Sequence, residues 1–367
     1  MPTVANETPF SNLLPASAWE ANPAVFAAET ERNEGFDPRI AWPGFGQTFQ
    51  YEAPSVGVLS NLRLLLEGSS VTTRTSGSIA ATDQWPHGII ERFVLRINGQ
   101  AAPWNCRGVD LNVLRQARYR SITDAFEAST LTTSGSGGTT TLRVQWDIPL
   151  SIDPSAAPNV GGLFMQSANS QVIAEVTTAA KARIVTLGGD GTFDITGATF
   201  LPLRTWFSIP TGKLARGGMG MILPNLSVLH GVLAQEEPVT GVGEKIVPLN
   251  RLQGTIARMW QRVTNGDGNA SLTLPANLDQ VRFLYASNQR PRTYNPYHLD
   301  AQNIEHYRGR LPYSAFALDQ VTEDLARDAI DVENLSDPQM VVDIKTGTTI
   351  NAGARIHTVY ELLTPLT

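Results

Sequence analysis

The sequence is short of charge. Asp, Glu, Lys and Arg make up 17% of its 367 residues, against roughly 25% in soluble proteins generally. A surface with so few charges suits a large assembly, or a secreted β-protein rich in Thr, Ser and Gly. No run of Lys and Arg occurs, and the formal net charge is −6. Direct coating of nucleic acid normally needs a basic face or arm, so no direct nucleic-acid binding is expected. Cys106 is the single cysteine; the fold cannot rest on an intrachain disulfide, and the side chain is expected to be a small buried apolar group. The opening Met1-Pro2-Thr3-Val4-Ala5-Asn6-Glu7 has no basic segment followed by an apolar core, which argues against a signal peptide. No stretch approaches the roughly 20 apolar residues of a spanning helix. Synthesis and folding in a cytoplasm are therefore expected.

Catalytic motifs are also missing. The five histidines, His87, His230, His298, His306 and His357, form no His-x-x-x-His or His-Glu-x-x-His pair, which disfavours a zinc site. His298, Asp300, Glu305 and His306 are the densest titratable cluster; it reads either as an acid/base or metal site or as a solvated loop and helix start. No Gly-x-Ser-x-Gly elbow occurs. Gly189-Asp190-Gly191 and Gly266-Asp267-Gly268 resemble fragments of calcium loops without the further acidic residues, so tight turns are the simpler reading. Asp83-Gln84-Trp85-Pro86-His87 and Asn295-Pro296-Tyr297-His298 present aromatics that suit either sugar binding or loop packing. Gly212 to Gly220 lacks the Gly-Lys-Ser/Thr ending of a phosphate loop and reads as a linker. No catalytic residue, metal or cofactor is expected.

What is present is β-patterning. Residues 1–46 are broken by Pro2, Pro9, Pro15, Pro23, Pro38 and Pro43 and carry Phe10, Trp19, Phe26, Phe36, Trp42 and Phe45. This reads as an extended arm lying along a surface, its own or a neighbour's. From Gln47 short strands recur at even spacing between turn signals, about eight of them up to residue 210 with one short helix over Val109–Gln116. That rhythm means a sandwich or barrel. Thr139 to Ile152 alternates, with Leu142, Val144, Trp146 and Ile148 on one face. The apolar run Val56 to Leu66 is too long for one simple strand and is expected to bend. After the linker the pattern resumes from Leu226 to Leu363, with Ser314 to Ile330 partly helical in spacing. The division is an arm at 1–46, one sandwich at 47–211, a linker at 212–224 and a second sandwich at 225–367.

The two halves repeat each other. With Arg92-Phe93 over Arg282-Phe283 the offset is 282 − 92 = 190, and without a gap Asn98 meets Asn288, Asn105 meets Asn295, Asp110 meets Asp300, Arg118 meets Arg308 and Arg120 meets Arg310, which is identity at 7 of 29 positions. Both segments read as a strand, an Asn/Pro/aromatic loop and a short helix carrying Arg. One repeat of such long period points to a duplicated domain rather than a solenoid.

A tandem pair of eight-stranded sandwiches with this length, repeat and acidic, single-cysteine composition resembles the double jelly-roll major coat proteins of tailless, membrane-containing icosahedral phages, the tectivirus-like group. No signature motif carries the resemblance, so no functional residue is transferred. It implies an all-β fold of two tandem jelly rolls with short helices in loops. It also implies a structural role as a major capsid protein: homotrimers of near-hexagonal outline tile an icosahedral shell beside minor capsid or penton proteins, with a possible internal membrane. Trp19, Phe26, Phe36 and Trp42 of the arm, with Arg308 and Arg310, are the candidate subunit contacts. Arg115 to Arg120 is a second basic cluster that could grip a neighbour's carboxylates. A carbohydrate-binding or carbohydrate-degrading sandwich, which would need paired carboxylates in a cleft, and another phage part such as a minor coat, spike or tail protein are the alternatives.

Overall fold

The computed structural model describes residues 30–119, 129–133, 135–151, 161–165, 170–208, 228–249, 254–266, 270–284, 292–319, 330–331, 335 and 337–365. The first half contributes β1 (Glu31–Phe36), β2 (Thr48–Ala53), β3 (Val58–Thr73), β4 (Ile90–Ile97), β5 (Gln100–Cys106), β6 (Gly137–Pro149), β7 (Val172–Thr178) and β8 (Thr192–Ser208), with helix α1 (Gly108–Tyr119) between β5 and β6. The second half contributes β9 (Val228–Pro238), β10 (Gly243–Pro248), β11 (Thr255–Asn265), β12 (Leu278–Leu284), β13 (Arg292–Tyr294), β14 (Phe316–Asp319), β15 (Gln339–Ile344) and β16 (Ala354–Pro365), with helix α2 (Pro296–Tyr307) between β13 and β14.

In the first half one antiparallel sheet runs β1-β8-β3-β6 and the facing one β2-β7-β4-β5. In the second half the orders are β9-β16-β11-β14 and β10-β15-β12-β13. Adding eight to each strand number converts the first description into the second, and both helices occupy the same connection. Each half is thus a jelly roll built on eight principal strands in two sheets, with the short strands Ile40–Ala41, Leu163–Phe164 and Ile330–Asp331 at their margins and a two-stranded ribbon of Ser78–Ala81 and Val185–Gly188, and the chain is a double jelly roll.

Period-two alternation builds the cores. In β6, Leu142, Val144, Trp146 and Ile148 are fully buried while Arg143 and Gln145 look outward. Across the ladder Leu62, Leu64 and Leu66 of β3 point the same way and are equally buried. Each such side chain contributes roughly 1.5–3 kcal/mol. The long apolar run does not break: Val58–Thr73 is one 16-residue strand. Its partner β8 shifts register twice along it, between Thr205 and Trp206 opposite the apolar run and between Thr196 and Thr199 beyond it. Gly68 makes room for that bulge, since a Cβ there would lie 2.5 Å from the Cβ of Ala198.

Two sequence expectations change. Within the stretch read as an arm, Glu31–Phe36 is a strand paired along its whole length with β8, from Glu31 opposite Ser208 to Phe36 opposite Leu203. The proline-free interval between Pro23 and Pro38 leaves the backbone donors a strand needs. Within the stretch given helical spacing, Phe316–Asp319 is a strand. Phe316 and Leu318 enter the core of roll 2, whereas Ala317 joins the core of roll 1; burial on both faces hides the alternation. The proposed linker at 212–224 lies outside the described residues.

The helices start by different chemistry. The Asp110 carboxylate accepts from the Arg107 N–H at 2.9 Å, satisfying a donor left open at a helix start. Asn295 caps α2 by accepting from the N–H groups of Tyr297 and His298, with Pro296 in the first turn where its missing N–H costs nothing.

Candidate functional site

With no catalytic constellation expected, the place where the rolls meet is the feature to build. Helix α1 of roll 1 reaches the outer face of the β9-β16-β11-β14 sheet of roll 2 through Asp110 to Arg262 and Arg118 to Glu361. The edge strands β5 and β9 pair in parallel, Trp104 opposite Val232 and Asn105 opposite Leu233, and the Trp104 indole N–H donates to the His230 carbonyl at 2.8 Å. Alternation along β16 explains the rest. Ile356, Tyr360 and Leu362 fill the interior of roll 2, while Val359, with Val232 and Trp260, turns outward into the core of roll 1. One hydrophobic cluster therefore crosses the seam.

Charges are buried in it. Glu361 is 2% exposed. Its carboxylate takes Arg118 of α1 at 2.5 Å, Arg258 of β11 at 2.9 Å and stands 3.0 Å from His230 Nε2. Burial opposes ionisation, but the two guanidinium groups outweigh it and hold the carboxyl well below its ordinary value. His230 Nδ1–H donates to the Pro149 carbonyl at 2.8 Å, so Nε2 accepts from Arg118 at 2.8 Å; burial and the Arg118 charge push the imidazole down and keep it neutral.

A second cluster lies alongside. Arg107 contacts Glu236 of β9 at 2.5 Å and Glu91 of β4 at 3.6 Å. His357 Nδ1 is 3.4 Å and Arg355 3.7 Å from Glu236. Burial works against the Glu236 charge, yet His357, Arg107 and Arg355 bring its pKa to about 2. Burial, with Arg262 beside it, drops His357 to about 3. Arg262 of β11 reaches Asp110 of α1 at 3.5 Å, both side chains 1% exposed. Ion pairs this deep add little over apolar packing, but removing one partner strands the other and costs about 3–5 kcal/mol. They fix how the rolls meet.

The candidate contact residues fall elsewhere. Trp19 and Phe26 lie outside the described residues. Phe36 ends the edge strand β1 at 69% exposure. Trp42 is half-buried against the core of roll 1, its ring 5.4 Å from Phe45 and 5.9 Å from Phe200. Arg308 closes α2 in the left-handed conformation at φ 58°. Arg310 forks onto Asp300 at 2.8 and 3.2 Å on the surface. Phe36 and Trp42 belong to roll 1 and the two arginines to roll 2, and the structure does not gather them into one site. Of the other basic cluster, Arg118 grips a carboxylate of its own chain, while Arg120 lies outside the described residues. The partners Arg118, His230 and Glu361 stand far apart in sequence; only the basic cluster hinted at them.

Of the remaining motifs, Asp267 and Gly268 lie outside the described residues, Tyr297 stands exposed, and the others resolve into turns and packing. Asp190 accepts from the N–H groups of Ser76 at 3.1 Å and Thr75 at 2.8 Å and also from Gly77. Those donors lower its pKa to about 2 and make Gly189-Asp190-Gly191 a turn clasp. Trp85 stacks edge-on to Phe193 at 5.6 Å and its indole donates to the Ser129 carbonyl. Asp300 is engaged by Arg310, and the His306 ring sits 4.7 Å from that of Tyr307. Among the described residues no group of three or more His, Cys, Asp or Glu could hold a metal ion. Cys106 is buried, and burial pushes its thiol well up.

Comparison with known proteins gives a fold and no sequence relative. No protein-family model matches the chain, and no curated protein matches it. Solved structures do. The STIV MCP superposes with a TM-score of 0.69 at 15% identity, covering 91% of this chain and 97% of that one. The PBCV-1 virus capsid gives 0.58 at 12% identity, with 92% and 93% covered. The major capsid protein P2 from bacteriophage PM2 gives 0.52 at 12% identity, with 92% and 98% covered. The chain has the double jelly-roll fold of these proteins, which cover 91–92% of it.

Proposed function

We propose that the chain is the major capsid protein of an icosahedral virus, made in the host cytoplasm and assembled into the virion shell. It forms a homotrimer of pseudo-hexagonal outline that tiles the facets, in company with minor capsid or penton proteins. The observation that carries this reading is the side-by-side union of two equivalent rolls through a buried seam of apolar side chains and ion pairs. One chain then presents two similar lobes, and three chains present six. The likeness to capsid proteins over 91% of the chain supports it, as does the low charge content of 17%, which suits a surface that becomes buried on assembly. The net charge of −6 favours an arrangement in which a membrane or basic proteins, rather than this chain, meet the genome.

Sedimentation of the purified full chain tests the proposal. The expected species has three times the 39.8 kDa chain mass and converts to larger sheets or shells at high concentration. A concentration-independent monomer that binds a sugar ligand would overturn it in favour of a carbohydrate-binding sandwich.

A further inference from the structure

Equivalent surfaces of the two rolls have unequal fates. In roll 1, α1 is covered: Val109, Leu111, Val113 and Leu114 are fully buried and Asp110 is sealed against Arg262. Leu111, Val113 and Leu114 pack into the core of roll 1, and the outer face of the β9-β16-β11-β14 sheet meets the helix from the other side, Arg262 at Asp110 and Glu361 at Arg118. In roll 2, α2 occupies the same place, between the fifth and sixth strands, yet Tyr297 is 67% and Ile304 38% exposed. With Ala301, also exposed, they form an apolar stripe at i, i+4 and i+7 on one helix face. Conversely, the outer face of the β1-β8-β3-β6 sheet of roll 1, counterpart of the covering face, is left open. Phe36 and Leu203 stand opposite each other there, and Leu65 stands opposite Leu201; the three leucines are only half-buried. One chain thus holds one completed helix-on-sheet junction and the two unmatched halves of a second.

Resting on the capsid reading, we infer that these halves join between chains. The Tyr297–Ile304 face of α2 in one copy docks on the outer sheet of roll 1 in the next, around Phe36, Leu203 and Leu65. The occupant is a second copy of this chain, because the intrachain seam already brings a roll helix against the counterpart sheet face of roll 2. The contact is heterologous, helix to sheet and never helix to helix, so it propagates head to tail and closes into a ring when the rotation allows. The interchain junction repeats the helix-on-sheet placement of the seam with apolar contacts, and subunit specificity resides on α2 and on the β1-β8-β3 face.

Paired aspartate substitutions test this. Phe36→Asp breaks the sheet side and Tyr297→Asp with Ile304→Asp breaks the helix side. Val242→Asp, at an exposed turn between β9 and β10, is the control. Sedimentation equilibrium is read after circular dichroism confirms the fold. Each face variant should weaken association about 30-fold or more, as loss of a central apolar anchor does, while V242D assembles as wild type. Mixing the two face variants should restore a heterodimer, since one intact helix face then meets one intact sheet face. Wild-type trimers that persist in both face variants, equal loss in V242D, or mixtures that stay monomeric would each overturn the assignment. A wild-type chain that never associates would instead sink the capsid reading.

Discussion

Arg118–Glu361 and Arg310–Asp300 are the same chemistry in two places. Both are short arginine–carboxylate contacts, at 2.5 and 2.8 Å. The first lies in the seam with side chains 10% and 2% exposed, the second on the surface with Arg310 at 68%. Solvent screens the surface pair and rotamer entropy offsets most of its gain, so such pairs contribute little. In the seam neither partner can return to water without parting the rolls. Distance alone does not rank these contacts; the cost of leaving a partner unpaired does.

The largest effect should come from Glu361→Ala, which strands Arg118 and Arg258 in the seam. Denaturant unfolding should show a loss of about 3–5 kcal/mol; a loss under 1 kcal/mol would mean that water reaches the seam. Next, Trp260→Ala, which removes a fully buried ring from the cluster that crosses the seam, should cost about 3–5 kcal/mol and lower the unfolding midpoint without changing the surface.

Acid should act through the seam as well. His357 has its pKa lowered from 6.5 to about 3, so between those values the unfolded chain binds the proton and the folded chain does not. Stability is then complete above pH 6.5 and falls as pH drops toward 3, with His230 adding in the same direction. Each such histidine contributes a slope of about 1.4 kcal/mol per pH unit. Glu236, lowered from 4.5 to about 2, loses its contribution between those values. In His357→Gln the slope between pH 6.5 and 4.5 should flatten; an unchanged slope would remove His357 from the account. The smallest effect belongs to Arg310→Ala, which should leave the unfolding midpoint where it was. A clear shift there would erase the contrast between seam and surface.

Much of the fold is legible in the sequence, because inward positions of single-sided strands alternate. Leu142, Val144, Trp146 and Ile148 declare β6 by themselves. The repeat is legible too, though out of step. By their starts, α2 follows α1 by 296 − 108 = 188 residues and β12 follows β4 by 278 − 90 = 188, two fewer than the offset of 190 that best matches the residues. In a strand a slip of two keeps the face, so Phe93 and Phe283 are both buried. In a helix it turns the side chain by about 200°. Asp110 accordingly lies sealed in the seam while Asp300 serves a surface arginine. The strand over Phe316–Leu318 stays hidden because both its faces are covered, one by each roll. The seam is not legible, since its charges sit on a helix and on strands whose outward faces look solvated until a second roll is laid on them.

The central claim is that copies of this chain associate laterally through two equivalent lobes each. Electron cryo-microscopy of the purified protein tests it most directly. The expected image is a three-fold ring of six barrel-shaped densities with α2 of each chain seated against roll 1 of the next. A two-fold dimer joined helix to helix, or isolated two-lobed particles at every concentration, would contradict it.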